Sequence, residues 1–307
     1  MSDRYFNRTA VPHRFVYGKD SLLDLACGRG GDIWKWIDAN IKYVKGIDLS
    51  PGEIDEAKAR YRDAVLKKGE MKTLCEFHDS HTLGVQEFKD ERQYDAVTCM
   101  FALHYFFVSE KALKQFLHNV SINLKPGGYF FGTVPDGKAV NACVVNSNLF
   151  TSPMLKIEAR WQGLPATFGS PYICAIGDTV TGGEQGTEGS LEYLVYQNVL
   201  VHVAAEFDLE PVYDYEDTEL ESCLLESDKG RVLKHFAPHF PDSDPSLERA
   251  SSLFTTFVFK KKEAIIKRTA AEIETETNQG PPDKMPVKSF KRPLPRSKKQ
   301  KLASSDA

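Results

Sequence analysis

Apolar positions along this chain alternate between short continuous runs and helical stripes. Ser21-Leu22-Leu23-Asp24-Leu25-Ala26-Cys27 is an apolar run broken at once by Gly28, Gly30 and Gly31, the pattern of a buried strand entering a tight turn. A helix is expected next, with Ile33, Trp34 and Ile37 on its inner face, followed by a strand at Tyr43–Asp48. Ser50-Pro51-Gly52-Glu53 reads as a helix start: serine at the cap, proline at the first position, glutamate two residues further on. More strands are expected at Thr73–Phe77, Tyr94–Met100 and Tyr129–Val134, with a helix from Ser109 to about Leu124. Strands separated by helical segments imply parallel pairing through right-handed crossovers, a doubly wound α/β sheet.

From Pro135 to Ser190 the periodicity fades into Gly-, Asn- and Thr-rich sequence, including Thr179-Val180-Thr181-Gly182-Gly183-Glu184-Gln185-Gly186. A stretch of this length inside a domain reads as a functional insertion. A helix from about Leu191 to Phe207 follows, then strands at Glu210–Tyr215 and Leu253–Lys260. Residues 263–307 are rich in charge, Pro and Ser and poor in apolar groups, which predicts a disordered tail.

Composition adds four constraints. The 307 residues are 41% hydrophobic and 27% charged, enough for a sizeable core without disulfide or metal staples. No run of about 18 apolar residues and no secretory leader pattern occurs, so a soluble, intracellular protein is expected. The six cysteines form no CxxC pair and read as reduced, mostly buried thiols, with no metal site suggested. Charge is uneven: Lys260–Ala307 holds 13 Lys/Arg against 6 Asp/Glu, leaving 26 against 37 in the rest. An acidic body with a basic tail argues against a broad cationic face gripping nucleic acid.

The glycine loop sits where a first strand hands over to a first helix, a place suited to a nucleotide-type cofactor. A tight turn alone would also account for the glycines. Two features favour the cofactor. Asp24 lies four residues before Gly28, which repels phosphate and suits a ligand with an ammonium group. Asp48 ends the next strand, where a carboxylate can accept both ribose hydroxyls. Together they describe a nucleoside with a cationic amino-acid arm, S-adenosylmethionine. Asp79 would accept from the adenine amino group or serve as a solvated cap acid, and Met100 and Phe101 would face ligand or simply end a buried strand.

Three segments carry a resemblance: Leu23-Asp24-Leu25-Ala26-Cys27-Gly28-Arg29-Gly30-Gly31-Asp32-Ile33-Trp34-Lys35-Trp36, Phe101-Ala102-Leu103-His104-Tyr105-Phe106-Phe107, and Leu124 to Asp136 with its Lys125-Pro126-Gly127-Gly128 turn. With Glu192-Tyr193-Leu194-Val195-Tyr196 and Ala250–Lys261, they resemble the eukaryotic mRNA cap guanine-N7 methyltransferases. The resemblance covers about residues 20–262.

It implies a mostly parallel seven-stranded sheet of the class I methyltransferase type with an insertion after the fifth strand, and a methyltransferase domain over residues 1–262. It implies that Asp24, Ala26, Gly28, Gly30, Asp48, Asp79, Met100 and Tyr105 bind S-adenosylmethionine, and that Phe101, His104, Tyr105, Pro135, Glu192 and Phe254 line the pocket of the cap guanine. Glu192 would accept from the guanine Watson-Crick edge, with Arg29 and Lys35 meeting the triphosphate. Taken singly, His104 reads rather as an interior histidine and Glu192 as a helix-start acid, while Arg29 and Lys35 read equally as surface charges. The chain departs from the family at Met100, where a glutamine is usual, at Phe254, where a tyrosine is usual, and in an N-terminal part that is expected to be short. Lys19, Arg14 and Arg8 match no family lysine there. No acid-base catalyst is expected. Partners implied are the capped 5' end of mRNA and, as candidates, a capping enzyme or RNA polymerase II, for a monomer acting in the nucleus without a membrane. The alternatives are another class I methyltransferase acting on a small molecule or protein, and a catalytically impaired cap-binding paralogue.

Overall fold

The computed structural model describes residues 15–69, 72–176, 189–213, 249–250 and 252–263. The strands are β1 (Ser21–Leu25), β2 (Tyr43–Asp48), β3 (Leu74–Asp79), β4 (Tyr94–Met100), β5 (Leu124–Pro135), β6 (Leu149–Thr151), β7 (Leu155–Ala159), β8 (Pro171–Ile176), β9 (Ser190–Tyr193), β10 (Leu209–Pro211) and β11 (Phe254–Lys261). The helices are α1 (Ile33–Asp38), α2 (Pro51–Lys68), α3 (Glu110–Asn123), α4 (Gly137–Val144) and α5 (Gln197–Ala205), with a 3-10 helix at Leu103–Val108.

Seven strands form one sheet in the order β10-β11-β5-β4-β1-β2-β3. β1 to β5 pair in parallel, and β11 runs antiparallel to both β5 and β10. Successive side chains of a strand point to opposite faces, so consecutive apolar residues serve two cores. Leu23, Val97 and Phe130 pack with Phe107 and Phe116 on one face. Leu22, Ala96 and Phe131 pack with Ile33, Trp36 and Ala57 on the other. This is the doubly wound, mostly parallel sheet that the alternating pattern predicts.

Helix starts follow the sequence signals. Ser50 caps α2, its hydroxyl oxygen accepting from the Glu53 amide at 3.3 Å, and Ser109 caps α3 in the same way. The irregular stretch between β3 and β4 is held by two buried asparagines of α3. Asn119 donates to the Leu83 and Gln86 carbonyls and accepts from the Phe88 amide, and Asn123 spans the Phe88 carbonyl and the Asp90 amide.

Several expectations are corrected. In α1 the buried stripe is Ile33, Trp36 and Ile37, whereas Trp34 is 45% exposed. Trp36 packs on Phe77 of β3, and that contact sets the rotation of the helix. The stretch after Pro135 is folded: α4 is followed by an antiparallel sheet in the order β6-β7-β8-β9. Its apolar side encloses Val140, Leu155, Ile157, Tyr172 and Leu253. The helix expected from Leu191 begins only at Gln197, because Ser190–Tyr193 pair with β8, placing Glu192 on a strand opposite Tyr172. Gly189 permits this pairing, since a Cβ there would stand 2.5 Å from Ile173 Cγ2 and 2.6 Å from the Cys174 carbonyl oxygen. β3 extends to Asp79, and β10 covers Leu209–Pro211 rather than Glu210–Tyr215. Arg8, Arg14, the Thr179–Gly186 segment, Tyr215 and residues 264–307 lie outside the described residues. Cys27, Cys75, Cys99 and Cys174 are buried free thiols and Cys143 is a half-buried one.

Candidate functional site

The candidate site lies at the carboxyl ends of β1, β2, β4 and β5, where a doubly wound sheet opens a crevice. β1 leads into a loop in which Ala26, Gly28 and Gly30 all have positive φ, 62°, 52° and 72°. The two glycines answer to different needs. A Cβ on Gly30 would stand 2.6 Å from Ile33 Cδ1 and 3.2 Å from the Ala57 Cβ, so this glycine lets the loop pack against α1 and α2. A Cβ on Gly28 would find only Glu53 Oε2, at 3.9 Å, so its outer side is open to a ligand.

Asp48 closes the loop from the end of β2. Its Oδ2 accepts from the Gly28 amide at 2.8 Å and its Oδ1 from the Ser50 amide at 2.9 Å, leaving lone pairs on each oxygen for a diol. Asp79, exposed, is its register neighbour on β3. Leu49, 61% exposed, follows Asp48 directly and gives the crevice an apolar edge; its signal is an apolar side chain left unburied after a strand-end acid.

Asp24 lies under the loop, buried, with its Oδ1 accepting from Thr98 at 2.6 Å. Burial, reinforced by Asp32 and Asp48, pushes its carboxyl well above the usual carboxylate range. The Asp32 and Asp48 carboxylates at this loop disfavour a phosphate and fit a cationic ligand, whose charge would draw the Asp24 carboxyl back toward ionisation. Asp32 was not among the expected site residues; its position directly after Gly31, ahead of α1, was the available signal. Of the two basic residues nearby, Arg29 pairs with Glu53 at 3.2 Å and Lys35 with Asp32 at 2.5 Å, all four being partly exposed.

The second half of the site follows β4. Met100 is half-buried, and Phe101 turns the chain with φ 57°, its amide donating to the Thr133 carbonyl at 2.8 Å. A bulky residue in the left-handed region is strained, and this strain sets Phe101 outward, 44% exposed. Its ring meets Phe254 edge-on at 5.2 Å, and Phe254 stands opposite Pro135 in the β11–β5 register. The 3-10 helix then brings in His104 and Tyr105, whose rings lie 4.2 Å apart.

His104 is 2% exposed, and neither ring nitrogen has a hydrogen-bond partner. Burial draws its pKa down to about 3, so the ring is neutral. Its Nε2 stands 3.9 Å from Oε1 of the buried Glu192. Glu192 is fixed by two residues the sequence did not single out: Tyr172 donates to Oε2 at 2.8 Å and Ser190 to Oε1 at 2.7 Å. Burial raises the Glu192 pKa, and these two donors act against that rise. Tyr105 joins the halves, because its hydroxyl lies in the field of both Glu192 and Asp48.

A seven-stranded sheet with one antiparallel strand next to its edge, a glycine loop after β1 and an acid ending β2 define a class I methyltransferase architecture. The same fold is seen in the CcbJ methyltransferase from Streptomyces caelestis, at a TM-score of 0.51 and 14% identity over 85% of this chain and 90% of that one. The chain belongs to the mRNA (guanine-N(7))-methyltransferase domain family, whose model matches residues 10–262. It is 30% identical over 208 residues to mRNA cap guanine-N(7) methyltransferase 1 of Arabidopsis thaliana, covering 63% of this chain and 54% of that protein. To the mRNA cap guanine-N(7) methyltransferase of Caenorhabditis elegans it is 32% identical over 215 residues, 67% of this chain and 54% of that protein. The chain thus spans about half the length of these curated relatives.

Proposed function

We propose that this chain transfers a methyl group from S-adenosylmethionine to N7 of the terminal guanine of a capped RNA 5' end. The observation that carries this reading is the buried Glu192 carboxylate, oriented on both oxygens and facing the unpartnered His104 ring, beside the acidic loop. A carboxylate so placed matches the N1-H and amino donors that separate guanine from adenine. When bound, S-adenosylmethionine supplies an electrophilic methyl group. Asp48 would accept from the ribose hydroxyls, Gly28 would admit the amino-acid arm, and Asp32 would favour the cationic ligand by its field, with Asp24 joining it once the ligand's charge draws off its proton. Asp79 and Met100 would close the adenine side.

Phe101, Tyr105, Pro135 and Phe254 would hold the base flat, and Glu192 with His104 would fix its rotation. N7 carries a lone pair and no proton, so no side chain serves as a general base. The work left to the chain is alignment and tolerance of the positive charge that the purine gains. Arg29 and Lys35 would exchange their partly exposed carboxylate partners for the triphosphate, which costs little because surface ion pairs are worth about 0–1 kcal/mol. We further infer a methyltransferase domain over residues 1–262, acting as a monomer, with a capping enzyme or RNA polymerase II as candidate partners. Nuclear import would be directed by the basic segment Lys288–Lys301; a tail-deleted fusion that still enters the nucleus would contradict this.

The test is radiolabelled methyl transfer by the full chain to GpppA-capped RNA. Transfer is expected to capped ends only, with Asp48→Ala losing affinity for S-adenosylhomocysteine and Glu192→Ala losing transfer while keeping that affinity. Transfer to uncapped RNA or to protein, with indifference to cap analogues, would sink the reading.

A further inference from the structure

We propose that Tyr172 and Ser190 are positioning residues of the base pocket: one hydroxyl on each Glu192 oxygen fixes the plane of the carboxylate and keeps it ionised where it meets the base. The inference rests on the functional reading above and assigns work to two residues outside the expected site. Tyr172 is wholly buried in β8 and Ser190 opens β9, and their register brings both hydroxyls to one carboxylate.

The hydrogen-bond arithmetic is restrictive. Ser190 has one proton, and Glu192 Oε1 at 2.7 Å is a far better acceptor than the Cys174 carbonyl at 3.5 Å. Ser190 therefore gives its proton to Glu192. Each carboxylate oxygen has used one lone-pair site on a protein hydroxyl, and one remains for a ligand N-H. An ionised carboxylate that is buried without such donors takes up a proton and becomes the wrong partner for two N-H groups.

The groups facing Glu192 are His104 from the 3-10 helix, Tyr105, Tyr172 and Cys174 from β8, and Ser190. Among the described residues no lysine or arginine forms an ion pair with it. The hydroxyls are thus the groups that offset burial. The sign follows: deleting either one raises the pH below which Glu192 is protonated, so cap binding fails earlier as pH falls.

The experiment is steady-state methyl transfer to GpppA-capped RNA by full-length wild type, Tyr172→Phe, Ser190→Ala and Ser190→Thr, over a range of pH. Tyr172→Phe keeps the ring and Ser190→Thr keeps the hydroxyl. For Tyr172→Phe and Ser190→Ala the KM for capped RNA should rise about ten-fold or more, the order for one hydrogen bond to a charged group. Their kcat and affinity for S-adenosylhomocysteine should change little, and the acid limb of kcat/KM should move to higher pH. Ser190→Thr should stay close to wild type. Unchanged KM and acid limb in Tyr172→Phe and Ser190→Ala, with wild type active on the cap, would overturn the inference alone. A wild type that neither methylates nor binds the cap would overturn the functional reading with it.

Discussion

His104 is buried with two ring nitrogens that have no hydrogen-bond partner, and its burial makes stability depend on pH. The folded imidazole titrates at about 3, whereas an unfolded histidine titrates near 6.5. Between these values the unfolded chain binds the extra proton, so the contribution of this residue falls as pH is lowered through that window. Linkage puts the loss at about 2 kcal/mol between pH 7 and pH 5. Urea unfolding should show this acid sensitivity in wild type and a flatter profile in His104→Phe; equal slopes would exclude the effect. Glu192 acts with the opposite sign, because burial raises its folded pKa: its contribution is full below about 4.5 and is lost as pH rises through the folded value. The two loop glycines separate in the same concrete way. Gly30→Ala brings a methyl group into Ile33 and should cost about 2–3 kcal/mol of stability. Gly28→Ala projects into the open side and, beyond the backbone strain that any side chain meets at φ 52°, should cost affinity for S-adenosylhomocysteine about ten-fold. Melting curves and calorimetry on both variants decide whether the roles divide so.

Among the elements, α3 does more than cover the sheet. Its two buried asparagines replace regular structure for the segment between β3 and β4, and that segment begins directly after Asp79. Asn119→Leu would leave the Leu83 and Gln86 carbonyls and the Phe88 amide without their partner. At about 1–3 kcal/mol for each stranded group, with some regained by water, the expected loss is about 3–5 kcal/mol by denaturant titration. A loss under about 1 kcal/mol would mean that the segment holds itself. β9 shows the reverse relation, in which packing overrides local preference. Leu191–Tyr196 carries a helix-compatible apolar stripe, yet pairing with β8 draws its first residues into a strand. That single change moves Glu192 from a helix start to a position between Tyr172 and Ser190.

At the scale of the whole molecule, the parallel sheet supplies the acidic loop and the inserted antiparallel sheet supplies Glu192, the acid that would face the base in the proposed function. The chain carries an acidic body, and the cations beside the loop, Arg29 and Lys35, are already paired with carboxylates. Such a surface suits a short end-on contact with RNA. Affinity for a capped oligonucleotide should therefore depend weakly on salt, with a log-log slope of about 1–2 in magnitude for two phosphate contacts. A slope beyond about 4, measured by anisotropy titration, would reveal a longer basic track. No helix among the described residues is long and apolar enough to cross a membrane.

The sequence by itself determined the strand and helix alternation, the glycine loop, Asp48 at a strand end and the family motifs. These are local properties, set by periodicity and by backbone demands that only a few residue types meet. Trp36 in place of Trp34, the strand at Ser190–Tyr193 and the folding of the insertion were decided by tertiary structure, because each depends on which distant surface is available to pack against. The same holds for the site. His104 and Glu192 were legible through their motifs, but Tyr172 and Ser190 were not: a strand tyrosine and a serine carry no spacing signal. Only the β8–β9 register, which brings Tyr172 to a carboxylate 20 residues away in sequence and beside Ser190, gives those hydroxyls the proposed role.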